Sequence, residues 1–402
     1  MKIVADKSIP FIRHYFTGLG DLCLVDGREI SNSLLRDADI LVARTVTPVD
    51  EPLLRDTKVR FVANPASGAD HVDLDYLAAA GIGYAGAPGC NARSVAEYVL
   101  SALCVLAELD SGLRRNDEAS VSPAKAGAQS DEKARGGMIA GVIGCGAVGS
   151  MVVELLEAVG IECLRNDPPL SAATHDPRYL DLHELRDADI LTLHVPLTRS
   201  GPHATCGLVD EQLLARLKPG VVIINTSRGE VMDEAALCRF LDRHARATAI
   251  LDVWAGEPDI NSALHSRTRF GTPHIAGYSA DARLRATAAV AERARTFLGR
   301  NPGELPTPVL PAPASAGISI APGVDAIEAV RIAVLAAYDV RRDAEPLRRI
   351  GSLDATRRAA YFSSLRENYP VRREFPAYTV RTQESSAARM LGALGFAVKT
   401  DA

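Results

Sequence analysis

Three polar residues of the sequence stand where they could act together on a small hydroxy acid. Arg228 lies in VVIINTSRG, Glu257 in DVWAGEP and His274 in GTPHIAGY, each behind an apolar segment. An arginine can hold a carboxylate through two parallel hydrogen bonds, and a histidine can take a hydroxyl proton while hydride leaves the same carbon. A carboxylate behind the histidine fixes its tautomer. These residue types therefore indicate oxidation or reduction at the carbon next to a carboxylate.

Each of the three residues also has an ordinary structural explanation. A loop arginine is usually solvated or paired at the surface, a histidine after a proline usually packs, and Glu257 before Pro258 fits a turn. The catalytic interpretation is favoured because all three follow a loop that is typical of dinucleotide binding.

This glycine-rich loop, in MIAGVIGCGAVG, has the GxGxxG spacing at Gly144, Gly146 and Gly149, with Ala147 and Val148 between the last two glycines. It follows an apolar segment and precedes a helical pattern. The spacing permits a tight turn, the approach of a pyrophosphate to the backbone, and close packing of a helix whose N-terminus faces the phosphates. The loop therefore predicts a dinucleotide cofactor.

An acidic residue at the end of the next predicted strand bears on which dinucleotide binds. Asp167 would accept hydrogen bonds from the adenosine ribose hydroxyls and would repel a 2′-phosphate, which favours NAD over NADP. Arg165 lies close enough to keep NADP open as an alternative.

The elements that must position these residues alternate between short apolar runs and amphipathic segments. This alternation predicts an α/β fold with two doubly wound, parallel-sheet (Rossmann-like) domains, and it places the three catalytic candidates at the carboxyl edge of one sheet. We predict strands at 3–5, 22–25, 40–43, 61–63, 139–143, 161–164, 190–193, 221–224 and 248–251. We predict helices at 91–109, 147–159, 210–217, 233–244 and 279–299.

The remaining segments set the domain boundaries. Residues 1–92 with 276–300 should form a flavodoxin-like substrate-binding domain, and 93–275 the NAD-binding domain, interrupted by a flexible insertion at 112–137. The proline-rich stretch 301–317 is typical of a linker. Residues 318–402 should form a small α+β domain, with helices at 324–338, 355–368 and 385–395 and strands near 317–320, 376–381 and 396–399.

Composition excludes some classes of protein. The 402 residues carry 45 Lys and Arg against 50 Asp and Glu, so nothing favours nucleic acid or an anionic membrane as a partner. The seven cysteines form no CxxC pair, and no long apolar run is present, which indicates a cytoplasmic protein with free thiols and no bound metal.

DVWAGEP, TPHIAGY and INTSRGEVMDE resemble motifs of the D-isomer-specific 2-hydroxy acid dehydrogenases, and the similarity runs from residue 1 to about 300. The resemblance implies that Arg228 binds the substrate carboxylate, that His274 is the acid and base, and that Glu257 orients His274. It also implies further residues beside the cofactor, namely Thr226, Ser227, Arg228, Asp252 and Gly277, with Val195 in a position where threonine is common.

Other segments resemble one branch of this family that carries an additional C-terminal dimerisation domain. They are MKIVADKSIPF, LVARTVTPVDEPLL, SGADHVD, GAPGCNARSVAEYV, NDPP and YDVRRDAEPLRR. The resemblance implies a homodimer and a small phosphorylated hydroxy acid as substrate. The substrate-binding candidates are Arg44, Thr45, Ser67, Gly68, Tyr278 and Ala66, the last of which replaces a usual hydroxyl side chain.

Three questions stay open from the sequence. Arg341 and Arg342 could reach a substrate phosphate, although an interface salt bridge with Asp339 or Asp343 is the favoured explanation. The substrate could be that of another dehydrogenase of the family, such as phosphoglycerate, hydroxypyruvate or glyoxylate. A third alternative is an NAD-sensing corepressor that performs no chemistry.

Overall fold

A computed structural model describes residues 1–117, 137–301 and 307–400 of the chain. The chain divides into two units. Unit 1 combines Met1–Ala92 with Tyr278–Pro311, and unit 2 combines Arg93–Gly277 with Ala312–Ala402.

Unit 1 is built on a five-stranded sheet in which every strand pair is parallel. Its strands are β1 (Lys2–Asp6), β2 (Asp21–Val25), β3 (Ile40–Val42), β4 (Phe61–Asn64) and β5 (Gly83–Gly86). Their spatial order is β2-β1-β3-β4-β5, so the chain reverses its direction of winding beside β1. This is the doubly wound order of flavodoxin-like sheets.

Unit 2 contains a second parallel sheet, of six strands, and a small third sheet. The six are β6 (Ile139–Ile143), β7 (Glu162–Asn166), β8 (Ile190–Leu193), β9 (Val222–Asn225), β10 (Thr248–Leu251) and β11 (Phe270–Gly271). Their order, β11-β10-β9-β8-β6-β7, places the reversal of winding beside β6. The third sheet pairs β12 (Gly317–Ser319), β13 (Thr379–Arg381) and β14 (Ala397–Lys399) in parallel.

Helices connect the strands. In chain order the first eight are α1 (Ile12–Phe16), α2 (Asn32–Leu35), α3 (Glu51–Leu54), α4 (Leu74–Ala79), α5 (Ala92–Asp117), α6 (Ala147–Ala158), α7 (Pro168–Thr174) and α8 (Glu211–Leu214). The others are α9 (Glu234–Arg243), α10 (Ser262–His265), α11 (Ala280–Phe297), α12 (Ala326–Ala337), α13 (Arg341–Leu347), α14 (Ala355–Glu367) and α15 (Ser385–Ala393).

The core of unit 1 explains why its strands read as continuous apolar runs. Successive residues of β1 enter different clusters, with Ile3 and Ala5 packed under α1 and α11 and Val4 on the other face. Both faces of the sheet are therefore covered, as parallel sheets require. The predicted α/β fold class is confirmed.

Helix α5 extends further than predicted. The periodicity of apolar residues stops at residue 109, yet the helix continues to Asp117 through a segment that includes the good helix formers Leu113, Arg114 and Arg115. The first six residues of the predicted insertion are thus helical. The rest of it up to residue 136, and residues 302–306 of the predicted linker, lie outside the described residues. Among the helices that are described, none combines the length and the apolar character needed to cross a bilayer.

Candidate active site

His274 and Glu257 form a direct pair at the carboxyl end of the large sheet of unit 2. His274 Nδ1 lies 2.8 Å from Glu257 Oε2, and the other carboxylate oxygen accepts a hydrogen bond of 2.9 Å from the Trp254 N–H. Burial alone would raise the pKa of Glu257, but its interactions with His274, Arg366 and that N–H outweigh burial and lower it. Glu257 therefore stays ionised and keeps a proton on Nδ1, which leaves Nε2 of His274 as the acceptor.

The loop that carries His274 is held by Asp252, whose side chain is only 1% exposed. Its Oδ1 accepts from Thr272 Oγ1 at 2.7 Å and from Ile275 N–H at 2.8 Å, and Oδ2 accepts from Ala276 N–H at 2.9 Å. His274 has a φ of 57°, in the left-handed region that an L-residue adopts only when its surroundings impose it. Contact of Asp252 with the cofactor stays a prediction, while the structure shows that it anchors this loop.

Arg228 lies in a turn that follows β9. Asn225 organises the turn, because its Nδ2 donates to the Arg228 carbonyl at 2.9 Å and its Oδ1 accepts from Ser227 N–H and Ser227 Oγ at 3.0 and 2.7 Å. The guanidinium is half-buried and Nη1 donates to the Ser227 carbonyl at 2.7 Å. Gly229 lets this turn touch the next loop, since a Cβ there would overlap the backbone of Trp254.

Trp254 links the three predicted catalytic residues, and the sequence reasoning assigned it no role. Its backbone packs on Gly229 beside Arg228, its N–H binds Glu257, and its indole Nε1 donates to the carbonyl of Thr272, two residues before His274, at 3.0 Å. The tryptophan of DVWAGEP was a signal in the sequence for this role. A tryptophan next to an apolar strand is expected to be buried, and its indole N–H then needs an acceptor.

The glycine-rich loop has the geometry that a dinucleotide requires. Gly144 has a φ of 85°, and a Cβ there would lie 2.8 Å from the carbonyl oxygen of His194. A Cβ on Gly149 would overlap the carbonyl oxygen of Gly144. A Cβ on Gly146 would meet nothing within 4 Å, so this glycine leaves space open at the start of α6, where helix N–H groups favour an anion.

A cleft of about 840 Å³ lies next to this loop, within unit 2. Its lining includes four of the predicted cofactor residues, Gly144, Gly146, Asp167 and Val195. The two carboxylate oxygens of Asp167 accept from Cys145 N–H at 2.8 Å and Leu170 N–H at 3.0 Å, which leaves further lone pairs for a ribose.

Arg165, the residue that kept NADP open, is already engaged. Its Nη2 lies 2.5 Å from Glu157 Oε1. The side chain that could have bound the 2′-phosphate of NADP is therefore paired within the protein. Asp167 is the acidic residue at the position predicted to bind the ribose. The residues present fit NAD.

His194 also lines the cleft, and the sequence reasoning did not single it out. It lies between two threonine hydroxyls, with Nε2 at 2.9 Å from Thr192 Oγ1 and Nδ1 at 3.2 Å from Thr226 Oγ1. Burial lowers the pKa of His194 to about 3. It is therefore neutral and serves to hold Thr226, a predicted cofactor residue.

The predicted substrate residues of unit 1 follow neighbouring strands. Arg44 and Thr45 come after β3, and residues 66–68 come after β4, which pairs with β3 in parallel, so both groups lie at one edge of the sheet. Arg44 Nε lies 2.7 Å from Oδ2 of Asp6, a fully buried carboxylate. Asn64 Nδ2 donates to the Gly68 carbonyl at 2.9 Å and Ser67 Oγ accepts from Gly89 N–H at 3.4 Å.

Unit 1 contains a second arginine near Arg44 that the sequence reasoning missed. The Arg283 guanidinium lies 5.9 Å from the ring centre of Tyr278, itself a predicted substrate residue. Burial lowers the pKa of Arg283, and the positive charge of Arg44 lowers it further. Two guanidinium groups near one another need a negative charge, and Asp6 pairs with only one of them.

Of the basic pair in the C-terminal part, Arg341 forms a salt bridge within the chain, to Asp339. Arg341 Nε and Nη2 donate to the two oxygens of Asp339 at 2.9 and 2.7 Å. Asp343 instead accepts hydrogen bonds from Tyr338 and Tyr369 at 2.8 and 2.7 Å.

Comparison with known proteins places this site in a family. Residues 98–276 match the model of the D-isomer specific 2-hydroxyacid dehydrogenase NAD binding domain, and residues 309–395 match a domain of unknown function. The erythronate-4-phosphate dehydrogenase of Citrobacter koseri is 41% identical over 397 residues, which is 98% of each chain. That of Hahella chejuensis is 40% identical over 398 residues, or 98% of this chain and 99% of its own.

The chain belongs to the erythronate-4-phosphate dehydrogenase family. The predicted resemblance to D-isomer-specific 2-hydroxy acid dehydrogenases and the predicted NAD cofactor are confirmed.

Solved structures of dehydrogenases have a similar fold. A D-lactate dehydrogenase from Aquifex aeolicus, complexed with NAD and lactic acid, superposes with a TM-score of 0.58 at 24% identity and covers 74% of this chain and 96% of its own. The NAD⁺-bound 3-phosphoglycerate dehydrogenase of Entamoeba histolytica gives 0.58 at 25% identity, with 77% and 99% covered.

Proposed function

We propose that the chain oxidises 4-phospho-D-erythronate to 3-hydroxy-2-oxo-4-phosphobutanoate with NAD, in the biosynthesis of pyridoxal 5′-phosphate (vitamin B6). The observation that carries this proposal is the match over 98% of the chain to dehydrogenases of that name. The 2.8 Å pair of His274 and Glu257, in the unit that also carries the dinucleotide loop, supports the chemistry.

The catalytic residues have distinct tasks. Arg228 binds the substrate carboxylate through its planar guanidinium. His274 Nε2 takes the proton of the C2 hydroxyl, while Glu257 holds Nδ1 and stabilises the imidazolium that forms. NAD, held by the glycine-rich loop and Asp167, would supply the acceptor for the hydride of C2. In the reverse direction His274 returns the proton to the carbonyl oxygen.

Two further groups would hold the ends of the substrate. The backbone N–H groups of Ser67 and Gly68 bind the substrate carboxylate. Arg44, Thr45 and Arg283 bind the phosphate, and Tyr278 donates a hydrogen bond to the substrate. The two neighbouring arginines of unit 1 support this assignment, since Asp6 already pairs with Arg44 and a phosphate would supply negative charge for Arg283 as well.

A substrate panel tests the proposal. The purified protein is mixed with NAD, and formation of NADH is followed with 4-phosphoerythronate, erythronate, 3-phosphoglycerate and glycerate. We expect kcat/KM for 4-phosphoerythronate to exceed the others by roughly 10²-fold or more. Equal turnover of an unphosphorylated acid would instead favour another dehydrogenase of the wider family.

A variant separates the enzyme from an NAD-sensing corepressor. His274→Ala should abolish turnover and leave NAD binding near the wild-type value, because the cofactor loop is untouched. A protein that binds NAD but oxidises none of these acids would support the corepressor.

Assembly and location are part of the same proposal. The chain forms a homodimer through its C-terminal domain, acts in the cytoplasm, and has no membrane or nucleic-acid partner. Sedimentation of the full chain, with and without NAD, tests the dimer.

A further inference from the structure

One face of α14, in the segment that matches a domain of unknown function, lies along the loop that carries Glu257. Arg358, Phe362 and Arg366 follow one another at intervals of four residues, so their side chains share that face of the helix. All three lie in unit 2, as does the Glu257 loop.

The first two of these residues have direct partners near Glu257. Arg358 Nε donates to Asp259 Oδ1 at 2.9 Å, two residues after Glu257. Phe362 is fully buried and belongs to the same apolar cluster as Trp254 and Ile260, which flank Glu257 in sequence.

The third residue, Arg366, lies one turn further along the same face. Its Nε is buried, and its positive charge acts on the Glu257 carboxylate together with that of His274. The opposing charge is Glu234 of α9, whose Oε1 accepts from Ala255 N–H at 2.8 Å and which interacts with Glu257. Arg366 therefore supplies positive charge at the Glu257 carboxylate, opposite in sign to the charge of the neighbouring Glu234.

We propose that this face of α14 positions the active site, with Arg358 and Phe362 fixing the Glu257 loop and Arg366 keeping the Glu257 carboxylate ionised against His274. The C-terminal domain thus takes part in catalysis through Glu257, in addition to the proposed dimerisation. The inference rests on the proposed function only in giving Glu257 and His274 their catalytic roles.

The charge of Arg366 has a measurable consequence for pH dependence. A positive charge disfavours uptake of a proton by the coupled Glu257–His274 pair. Without this charge the pair takes up its proton at a higher pH. The acidic limb of kcat/KM, where His274 can no longer act as a base, should then move upward.

The experiment compares Arg366→Gln, Arg366→Lys and the matched control Arg357→Gln in the full-length protein. Arg357 is on the same helix but exposed, where it pairs with Asp354. We expect Arg366→Gln to move the acidic limb up by about one pH unit and to lower kcat roughly tenfold, with NAD affinity unchanged. Arg366→Lys should return the acidic limb of kcat/KM to its wild-type position. Arg357→Gln should have the pH profile and the kcat of the wild type.

A second readout keeps this test separate from the choice of substrate. The NMR titration of His274, assigned by comparison with His274→Ala, follows the same pair without turnover. If the wild type fails to oxidise 4-phosphoerythronate, the proposed function fails while this titration still tests Arg366.

An Arg366→Gln protein that binds NAD normally and has an unchanged titration would overturn the inference. If that variant does not fold, Arg358→Gln tests whether α14 positions the Glu257 loop. Its folded form should lose several-fold in kcat, and an unchanged kcat would contradict the positioning role.

Discussion

The indole nitrogen of Trp254 donates to the carbonyl oxygen of Thr272 at 3.0 Å, inside a core where both residues are almost fully buried. Thr272 in turn donates to Asp252 and contacts the hydroxyl of Tyr98 at 2.8 Å. These hydrogen bonds join the loop after β10 to the loop after β11 through side chains that have no proposed role in the reaction. Accurate placement of Glu257 against His274 depends on this link.

Replacing the tryptophan tests the link. Trp254→Phe keeps an aromatic ring but leaves the Thr272 carbonyl without its donor, so the free energy of unfolding should fall by roughly 1–3 kcal/mol. We also expect kcat to fall more than NAD affinity, measured by steady-state kinetics and cofactor titration. Tyr361→Phe removes a comparable hydrogen bond, to the Pro346 carbonyl, away from the site and should leave kcat unchanged. An unaltered kcat in folded Trp254→Phe would contradict this account.

Two glycines of the cofactor loop should respond differently to alanine. At Gly146 a methyl group has space and φ is −67°, so Gly146→Ala should fold with wild-type stability and bind NAD at least roughly tenfold more weakly. At Gly149 a methyl group would overlap the Gly144 carbonyl, so Gly149→Ala should lower the melting temperature. Differential scanning fluorimetry with and without NAD distinguishes the two. Equal losses of stability would argue against the cofactor role of Gly146.

The half-buried His194, whose pKa is lowered by burial, predicts sensitivity to acid. Its pKa is about 3 in the folded state, against an ordinary value of 6.5, so below pH 6.5 the unfolded chain binds a proton that the folded chain refuses. Stability is therefore unaffected by this group above pH 6.5 and falls as the pH drops, by about 2 kcal/mol between pH 7 and pH 5.

Denaturant unfolding at both pH values measures this effect, with His194→Gln for comparison. The variant should lose about 2 kcal/mol less than the wild type over the interval. His183→Gln, at an exposed position, is the matched control. Parallel pH curves for wild type and His194→Gln would refute the assignment.

The arginines of unit 1 predict discrimination by phosphate. Arg283→Gln should raise KM for 4-phosphoerythronate by roughly 10-fold or more and change kcat/KM for unphosphorylated erythronate little, because the lost interaction is a charge-assisted one to phosphate. Arg293→Gln, at an exposed position of the same helix, is the control. The two substrates are compared by steady-state kinetics. A similar loss on both would place Arg283 elsewhere than at the phosphate.

Much of the architecture could be predicted because each signal was local. The GxGxxG loop, the apolar runs of the strands and the cap residues lie within a few residues of the structures they specify. Strand β5 was missed, since Gly83–Gly86 has no β-branched residue and forms only because β4 pairs with it. The end of α5 was placed too early because the helix continues past the point where its periodic pattern of apolar residues stops.

The supports of the site were harder to predict. The contact of Trp254 with Thr272, the position of His194 between two threonines and the face of α14 beside Glu257 join residues that are distant in sequence or have no motif. The sequence shows which polar groups these residues carry, but which groups they contact depends on the tertiary fold. Arg283 was overlooked because a lone arginine in a helix normally faces solvent.

Unit 1 joins the first 92 residues to a segment that begins at Tyr278. One face of its sheet is covered by α11, whose residues Leu284, Val290 and Ala291 pack in the same apolar cluster as Ile3 and Ile40. That face stays uncovered until α11 has been made. During translation the first five strands therefore leave the ribosome long before their cover does. A nascent chain of this family carries an uncovered apolar sheet face until almost 300 residues have been made, and over that period it is a natural client for chaperones.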